Sequence, residues 1–315
     1  MQLFARNAPT LFTPERAEKE ASRARKMENM YHVGQGKAWD GRTVLQEAMA
    51  RHPAPEGGER IPKREREALA KVFAMLMWGE LAAWRVAAQQ ADLLEDYEAR
   101  LAATGQAHDE ARHYYVMHDY LMTLGVEVPP LDKHSRTFLN ACLSAPLPIQ
   151  KVVGMQMLVE VIALTIFKMV REMNVDPALT EVLAYFEKDE ARHVGFGVQV
   201  APGLVRQLGP IGRARLVAFE ARVLLAMLLA LKNLEPDLRL VGGDPRLLLE
   251  EGARRFGAIV EDYRAEVGQT SMEGQLLTRL FEAVMDGVFP KDLTLSMPAR
   301  VKAAFSALSR TSSAG

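Results

Sequence analysis

The 315-residue chain contains a single cysteine, Cys142. A disulfide within the chain is therefore impossible, and a zinc site built from several thiolates is excluded as well. An excess of charge of one sign is also missing, because 39 Lys and Arg residues are matched by 40 Asp and Glu residues. Without a basic stripe or an acidic tail, the sequence gives no indication of a nucleic-acid partner.

The N-terminus lacks the basic start and the apolar run of a signal peptide. Together with the low cysteine content, this indicates a cytoplasmic protein. Two stretches, 152–170 and 216–231, are apolar enough to raise the question of a membrane span, but each carries two charged residues. Because charges at the centre of a span are costly in lipid, we expect no membrane span and interpret both stretches as buried helices.

Alternating β-branched residues are scarce, whereas Ala, Leu, Glu, Arg and Met are abundant. This composition predicts an all-α fold. Turn signals divide the chain into an N-terminal extension with short helices (1–62), a helical bundle (63–200) and additional C-terminal helices that pack on it (201–310). The predicted helices are 14–30, 43–51, a long tract from 63 to about 125, 131–143, a second tract to about 200 broken at 174–177, and then 210–234, 245–267, 271–287 and 293–308. A loop is expected at 32–42, and the tail from 311 is expected to be disordered.

The pentapeptide Asp-Glu-Ala-Arg-His occurs twice, at 109–113 and again 80 residues later at 189–193. Two glutamates in otherwise apolar helical sequence, Glu80 and Glu160, are also 80 residues apart. Each of them precedes the glutamate of the following pentapeptide, Glu110 or Glu190, by 30 residues. The chain therefore contains a twofold internal repeat of the form Glu…Glu-x-x-His.

The spacing of this repeat has a geometric meaning. Residues at equal height in an antiparallel helical hairpin are equidistant from its turn, which places the two turns near residues 175 and 95. Residue 175 lies in an Asn-Val-Asp-Pro break, and Asp92-Leu-Leu-Glu95 resembles a capping box. The four helices are thus expected to bring their acidic residues to one level in the middle of the bundle.

Residues three apart share a helix face, so each Glu-x-x-His can bind one metal ion. Four carboxylates neutralise two divalent cations in a buried site, and carboxylates combined with imidazoles suit iron or manganese better than calcium. A single Glu-x-x-His is usually a solvated helix face, but a matched pair of them, each with a glutamate in apolar surroundings, favours a metal site. The candidate ligands are Glu80, Glu110, His113, Glu160, Glu190 and His193.

These residues resemble the ferritin-like di-iron carboxylate superfamily over roughly residues 65–200. The Asp-Glu-x-Arg-His form is similar to the branch that contains bacterial multicomponent monooxygenase hydroxylases and acyl-carrier-protein desaturases. The resemblance implies a ferritin-like four-helix bundle, a cofactor of two iron ions or of manganese and iron, and O2 as co-substrate. It also implies that Asp109 and Asp189 accept hydrogen bonds from the ligand imidazoles, and that Arg112 and Arg192 pair with those aspartates.

The chain departs from each better-defined subfamily at one position. The monooxygenases carry a threonine one turn after the third-helix glutamate, where this chain has Leu164 followed by Thr165. Met117 replaces the radical tyrosine of the ribonucleotide reductase small subunit, which argues against a tyrosyl radical. Met155 replaces the cross-linked tyrosine of the ligand-binding oxidases, and Phe186 replaces the third histidine of p-aminobenzoate N-oxygenases. No subfamily is assigned.

The leading functional hypothesis is an O2-activating oxidase or oxygenase that hydroxylates, desaturates or N-oxygenates a small organic substrate. It implies an external electron donor, either a ferredoxin or a reductase, and a homodimer is expected. The alternatives are a ferroxidase or other iron-handling ferritin-like protein, a Mn/Fe ligand-binding oxidase, and a structural protein with a degenerate site. The long C-terminal helices argue against iron storage, because storage ferritins are shorter.

Overall fold

The computed structural model describes residues 25–267 without a gap, together with residues 14, 283, 285–290, 294, 296 and 299. Among these residues the secondary structure is helical, and no strand occurs. The all-α fold class predicted from composition is confirmed. The elements are α1 (Arg25–Gly36), α2 (Gly41–Arg51), α3 (Lys63–Leu93), α4 (Tyr97–Thr123), α5 (Lys133–Ser144), α6 (Pro148–Val152), a π-helical segment (Val153–Val159), α7 (Glu160–Met173), α8 (Pro177–Arg206), α9 (Pro210–Leu240) and α10 (Pro245–Val267).

Aspartate side chains define where several of these helices begin. Asp40, Asp96, Asp132 and Asp176 each accept backbone N–H groups at the start of α2, α4, α5 and α8. Such capping satisfies donors that have no partner within the helix. The two predicted turns are confirmed, at 94–96 and at 174–176. The predicted capping box at 92–95 was wrong, because α3 continues to Leu93 and the cap of α4 is Asp96.

Four long helical stretches form a bundle of two hairpins. α3 pairs with α4, α7 pairs with α8, and α4 and α8 contact each other. The remaining helices surround this bundle: α1 and α2 lie against α4 and α8, α9 lies against α3 and α5, and α10 lies against α7 and α8. The short α6 and the π-helical segment complete the third bundle stretch, and the backbone N–H of Glu160 donates to the carbonyl of Met155, five residues earlier. A π turn was not predicted from the sequence.

Three helix ends differ from the prediction. α1 continues to Gly36 through the first part of the expected loop at 32–42, because its contact with α4 outweighs the low helix propensity of the glycines. α8 and α9 extend past Pro202 and Pro236 to Arg206 and Leu240, and in both cases the proline lies in the last two turns. The predicted helices at 271–287 and 293–308 fall largely outside the described residues, as do residues 15–24 and the tail.

The core consists of two apolar clusters at different heights in the bundle. One includes Phe73, Met77, Met117 and Phe186, and the other includes Ala82, Ala103, Met155 and Phe196. Glu80, Glu110 and Glu190 lie between the two sets along their helices. One helical stretch, Pro148–Met173, is long and apolar enough to cross a membrane, but 67% of its most apolar window is buried against the rest of the protein. This degree of burial is typical of the core helix of a bundle.

Candidate metal centre

The structure brings all six candidate ligands together in the middle of the bundle. Each is at most 4% exposed, and Glu110 and His113 are fully buried. Glu80 comes from α3, Glu110 and His113 from α4, Glu160 from the first turn of α7, and Glu190 and His193 from α8. The equal spacing in the sequence therefore corresponds to one level in space, as the hairpin geometry predicted.

The six side chains form two overlapping groups of four. Glu80, Glu110, His113 and Glu190 each offer one ligand atom within 4.8 Å of the others, and so do Glu110, Glu160, Glu190 and His193. Glu110 and Glu190 belong to both groups. Their two oxygens face different imidazoles: Glu110 Oε2 lies 3.3 Å from His113 Nδ1, and Glu110 Oε1 lies 3.1 Å from His193 Nδ1.

Glu190 has the same arrangement. Its Oε1 lies 3.1 Å from His113 Nδ1, and its Oε2 lies 3.6 Å from His193 Nδ1. Glu80 Oε2 lies 3.4 Å from His113 Nδ1, so this carboxylate belongs to the His113 end of the cluster. Two adjacent cations would fit here, with Glu110 and Glu190 in reach of both and Glu80 and Glu160 each in reach of one.

The imidazoles are held from behind by aspartates of the opposite pentapeptide. His113 Nε2 lies 3.1 Å from Asp189 Oδ2, and His193 Nε2 lies 3.4 Å from Asp109 Oδ2. A carboxylate accepts the Nε2–H and so leaves Nδ1, which faces the glutamates, as the free lone pair. Each aspartate thus lies behind the imidazole of the other copy of the pentapeptide, so the pairing is crossed between the two copies.

The two arginines of the repeat join these aspartates to each other. Arg112 Nη2 donates to Asp109 Oδ1 at 2.6 Å and to Asp189 Oδ2 at 2.9 Å. Arg192 Nη2 donates to Asp109 Oδ2 at 3.1 Å and to Asp189 Oδ1 at 2.5 Å. Two guanidinium groups and two carboxylates therefore balance in charge and fix α4 against α8 directly behind the imidazoles.

Trp39, from the segment between α1 and α2, was not among the predicted site residues. Its Nε1 donates to Asp189 Oδ2 at 2.8 Å, and the Arg112 guanidinium lies 4.6 Å from its ring centroid. Its ring also lies 6.2 Å from that of His113. Trp39 lies outside the internal repeat. The spacing of residues in the sequence does not predict its contact with Asp189, which is 150 positions away.

Three buried glutamines were also missed. Gln106 Nε2 donates to Glu110 Oε1 at 2.9 Å and to Glu160 Oε1 at 2.5 Å. Gln156 Nε2 donates to Gln106 Oε1 at 3.1 Å, and Gln156 also exchanges hydrogen bonds with Gln90. A signal was present for two of them, because Gln106 is one turn before Glu110 and Gln156 interrupts an apolar run. The network orients one carboxylate from each half of the repeat.

Burial and mutual repulsion shape the protonation of the cluster. Burial, together with the negative charge of Glu110, raises the pKa of Glu80 and that of Glu160 well above the usual value. Burial alone would lower the pKa of His113, but Asp189 and the surrounding glutamates outweigh it and raise that pKa. The pKa of His193 is raised in the same way by Glu110 and Asp109. Without a cation, protons therefore offset part of the negative charge.

The orphaned polar atoms point to what belongs in the cluster. Within the described part of the chain, five buried ligand atoms have no hydrogen-bond partner: Glu110 Oε2, His113 Nδ1, Glu160 Oε2, Glu190 Oε1 and His193 Nδ1. Buried polar groups without partners are rare in folded proteins because desolvation is costly. All five face the centre of the cluster, so this donor set fits two divalent metal ions.

Comparisons with known proteins agree with this architecture. No protein-family model matches the chain, and no curated protein matches it. Among solved structures, the chain is similar to a Synechococcus protein described as having aldehyde deformylating oxidase activity, with 20% identity and a TM-score of 0.60. The alignment covers 70% of this chain and 98% of that one. At this level of identity the likeness shows the fold, and it confirms the ferritin-like helical bundle with additional helices.

Proposed function

We propose that this protein is an O2-dependent di-iron oxidase or oxygenase that acts on a small organic substrate. The observation that carries the proposal is the pair of overlapping ligand groups, which share Glu110 and Glu190 and orient both Nδ1 atoms toward their centre. The oxidase activity of the structural neighbour supports the same class of chemistry. A Mn/Fe pair is the alternative metal content, since the donor set suits both metals.

The residues divide into two sets of ligands. Glu80 and His113 would hold one ion, Glu160 and His193 the other, and Glu110 and Glu190 both. Two iron ions held here would supply two electrons for the reduction of dioxygen. The Asp189 and Asp109 carboxylates keep the imidazoles in the tautomer that presents Nδ1, and Gln106 fixes the orientation of Glu110 and Glu160.

The surroundings of the cluster favour an organic substrate over iron handling. An apolar pocket, with Met155, Val159 and Ile166 in its wall, adjoins the carboxylates of Glu80, Glu160 and Glu190. An iron-entry path would be lined by acidic or polar groups, because a hydrated cation is costly to place among apolar side chains. Thr165 follows the position at which the monooxygenases carry their threonine. Its hydroxyl donates to the carbonyl of Val161 at 2.6 Å, so this hydroxyl is engaged within its own helix.

The need for a redox partner follows from the electron balance of an oxygenation reaction. Insertion of one oxygen atom into a C–H bond takes two electrons from the substrate and two from a donor, and the second oxygen atom leaves as water. We therefore propose an external ferredoxin or reductase as the electron donor. The homodimer and the cytoplasmic location expected from the sequence stay predictions.

The test combines metal analysis with oxygen consumption. We expect about two irons per chain after anaerobic loading with Fe(II), and O2 uptake that is coupled to oxidation of an added organic compound. Loading of many irons per chain with release of ferric mineral would support iron handling instead. A protein that folds but binds neither iron nor manganese would refute both proposals.

A further inference from the structure

Gly79 is a glycine for which the protein fold supplies no reason. It lies inside α3, directly before Glu80, and it is not among the glycines with a positive φ. A Cβ atom built at this position would meet no other atom within 4 Å. Glycine in a helix interior destabilises the helix relative to alanine, because it loses more backbone freedom on folding. The residue therefore leaves space open at a cost in stability.

The open space is the inner pocket beside the metal centre. Gly79 lines this pocket together with Glu80, Glu160 and Glu190, and the rest of its wall is apolar. Its volume is 40 Å³, which is too small for a drug-sized ligand. Met227 of α9 and Phe138 of α5 also line it, so helices beyond the four-helix bundle contribute to the wall.

A second, larger space, the outer cavity, lies along the seam between α3 and α9. It has a volume of 270 Å³, and its wall includes Ala230 and Leu234 of α9. Met75 lines both spaces, so it is their common boundary. Methionine is unbranched and has three rotatable bonds, which lets its side chain move aside without backbone strain.

The rim of the outer cavity is polar. Lys71 Nζ lies 2.7 Å from Asp237 Oδ1, and Asn233 donates to Asp132 at 3.4 Å. Lys71, Met75 and Gly79 follow one another at intervals of four residues and so share one face of α3. The path from the rim to Gly79 spans eight residues of helix, about 12 Å. The outer cavity with its polar rim and the inner pocket beside the carboxylates therefore follow one another along the same face of α3.

We propose that this seam binds a slender, unbranched aliphatic substrate, with the end of its chain beside Gly79 and its polar head at the rim near Lys71 and Asn233. This inference rests on the proposed function, because it names the substrate class of the same site. Gly79 sets the width of the inner pocket, and Met75 separates the pocket from the outer cavity. Both are specificity-determining residues that touch the substrate.

The experiment measures binding of two unreactive ten-carbon alcohols, 1-decanol and 1-adamantanol, to the anaerobic iron-loaded protein by calorimetry. We expect 1-decanol to bind at least about tenfold more tightly than the bulky 1-adamantanol. In a series of shorter linear alcohols, each added methylene group should tighten Kd about fourfold while the chain remains within the apolar wall.

The test variant is Gly79→Leu, and its matched control is Gly257→Leu. Gly257 also lies inside a helix, α10, and a Cβ there would likewise meet nothing within 4 Å, but the residue is exposed. We expect Gly79→Leu to weaken 1-decanol binding at least about tenfold and Gly257→Leu to leave it unchanged. The milder Gly79→Ala should raise the melting temperature and still weaken binding of the longest alcohols, which covers the case in which Gly79→Leu does not fold.

The outcomes separate this inference from the proposed function. Equal 1-decanol affinity in the wild type and in either folded Gly79 variant overturns the inference, as does equal binding of the two alcohols or binding of neither. If the purified protein takes up no iron, the same measurements on the metal-free chain apply. Binding that still depends on Gly79 would then support the pocket while the di-iron proposal fails.

Discussion

The two halves of the internal repeat supply equivalent ligands but place them in different surroundings. The ring of His113 stacks on Phe186 at 4.2 Å and lies beneath Trp39. His193 instead adjoins a small cavity of 20 Å³ whose wall includes Met30 and Tyr31 of α1. The repeated residues thus form two candidate cation positions, and the residues that do not repeat make the surroundings of those positions unequal.

The backbone differs between the halves as well. α3 passes Glu80 as an uninterrupted α-helix, whereas Glu160 directly follows the π-helical segment. The aspartates also differ in their hydrogen bonds. Asp189 accepts from His113, both arginines and Trp39, whereas Asp109, within the described part of the chain, accepts from His193 and both arginines only. The His113 position is therefore expected to be the more rigid and the higher in metal affinity.

Removal of a shared ligand should have the largest effect. We expect Glu110→Gln to abolish binding at both positions, because this carboxylate faces both imidazoles, and Glu80→Gln to abolish binding at one. Metal content after Fe(II) or Mn(II) loading measures the difference. Glu98→Gln, at a buried carboxylate outside the cluster, is the control and should keep wild-type content. Equal content in Glu110→Gln and Glu80→Gln would contradict the bridging assignment.

The aspartates behind the imidazoles test the inequality directly. Asp189→Asn and Asp109→Asn should each weaken metal affinity by about 10- to 100-fold, with the larger loss for Asp189 because more donors depend on it. Calorimetric titration of each variant with Mn(II) measures the metal affinity of each of the two positions. A larger loss for Asp109→Asn would reverse the proposed order of the two positions.

Metal affinity should rise with pH. The pKa values of Glu80 and Glu160 are raised by burial and those of both histidines by their carboxylate neighbours, so protons occupy these groups until a cation displaces them. As the pH falls from about 8 to about 6, we expect metal binding to weaken. We also expect each ion that binds to release protons. A pH indicator in weakly buffered solution measures the release. Binding that strengthens as the pH falls would contradict the proposed ligands.

Loss of the tryptophan hydrogen bond should have the smallest effect. Trp39→Phe keeps an aromatic ring over His113 but removes the donor to Asp189, which should lower the free energy of unfolding by about 1 kcal/mol. Metal affinity should fall by a few-fold at the His113 position alone. Denaturant unfolding and Mn(II) titration check both, with the more exposed Trp84→Phe as the control. A loss of metal affinity confined to the His193 position would contradict the assignment of Trp39 to the His113 position.

The candidate ligands could be singled out in the sequence because they repeat. Equal offsets of Glu80, Glu110, Glu160 and Glu190 revealed two hairpins, and the turns lie at 94–96 and 174–176 as the midpoints required. The start of α8 was readable from Asp176 and Pro177, although the cap near residue 95 was assigned to the wrong aspartate. Local spacing and capping chemistry are properties of short segments, which is why they can be read without the fold.

The surroundings of the site could not be predicted because they depend on contacts between distant segments. Trp39 reaches Asp189 only after α1 and α2 pack across the bundle, and Met227 lines the inner pocket only because α9 lies against α3. In the sequence, Gly79 is one glycine within the mostly apolar run 73–84. Only coordinates show that no neighbour occupies the volume beside it.

The π-helical segment has a consequence for how the chain tolerates insertions and deletions. A π turn holds one residue more than an α turn, so removing one residue from Val153–Val159 would restore an α-helix and leave the chain on either side close to its present orientation. Lys151, whose ammonium group caps the carbonyls of Cys142 and Leu143, would stay at the end of α5, and the loss would fall on the hydrogen bonds of Gln156 inside the segment. The same deletion in α3, which passes Glu80 without a π turn, would rotate one side of that helix by about 100° relative to the other, so a change of length is better accommodated before Glu160 than before Glu80.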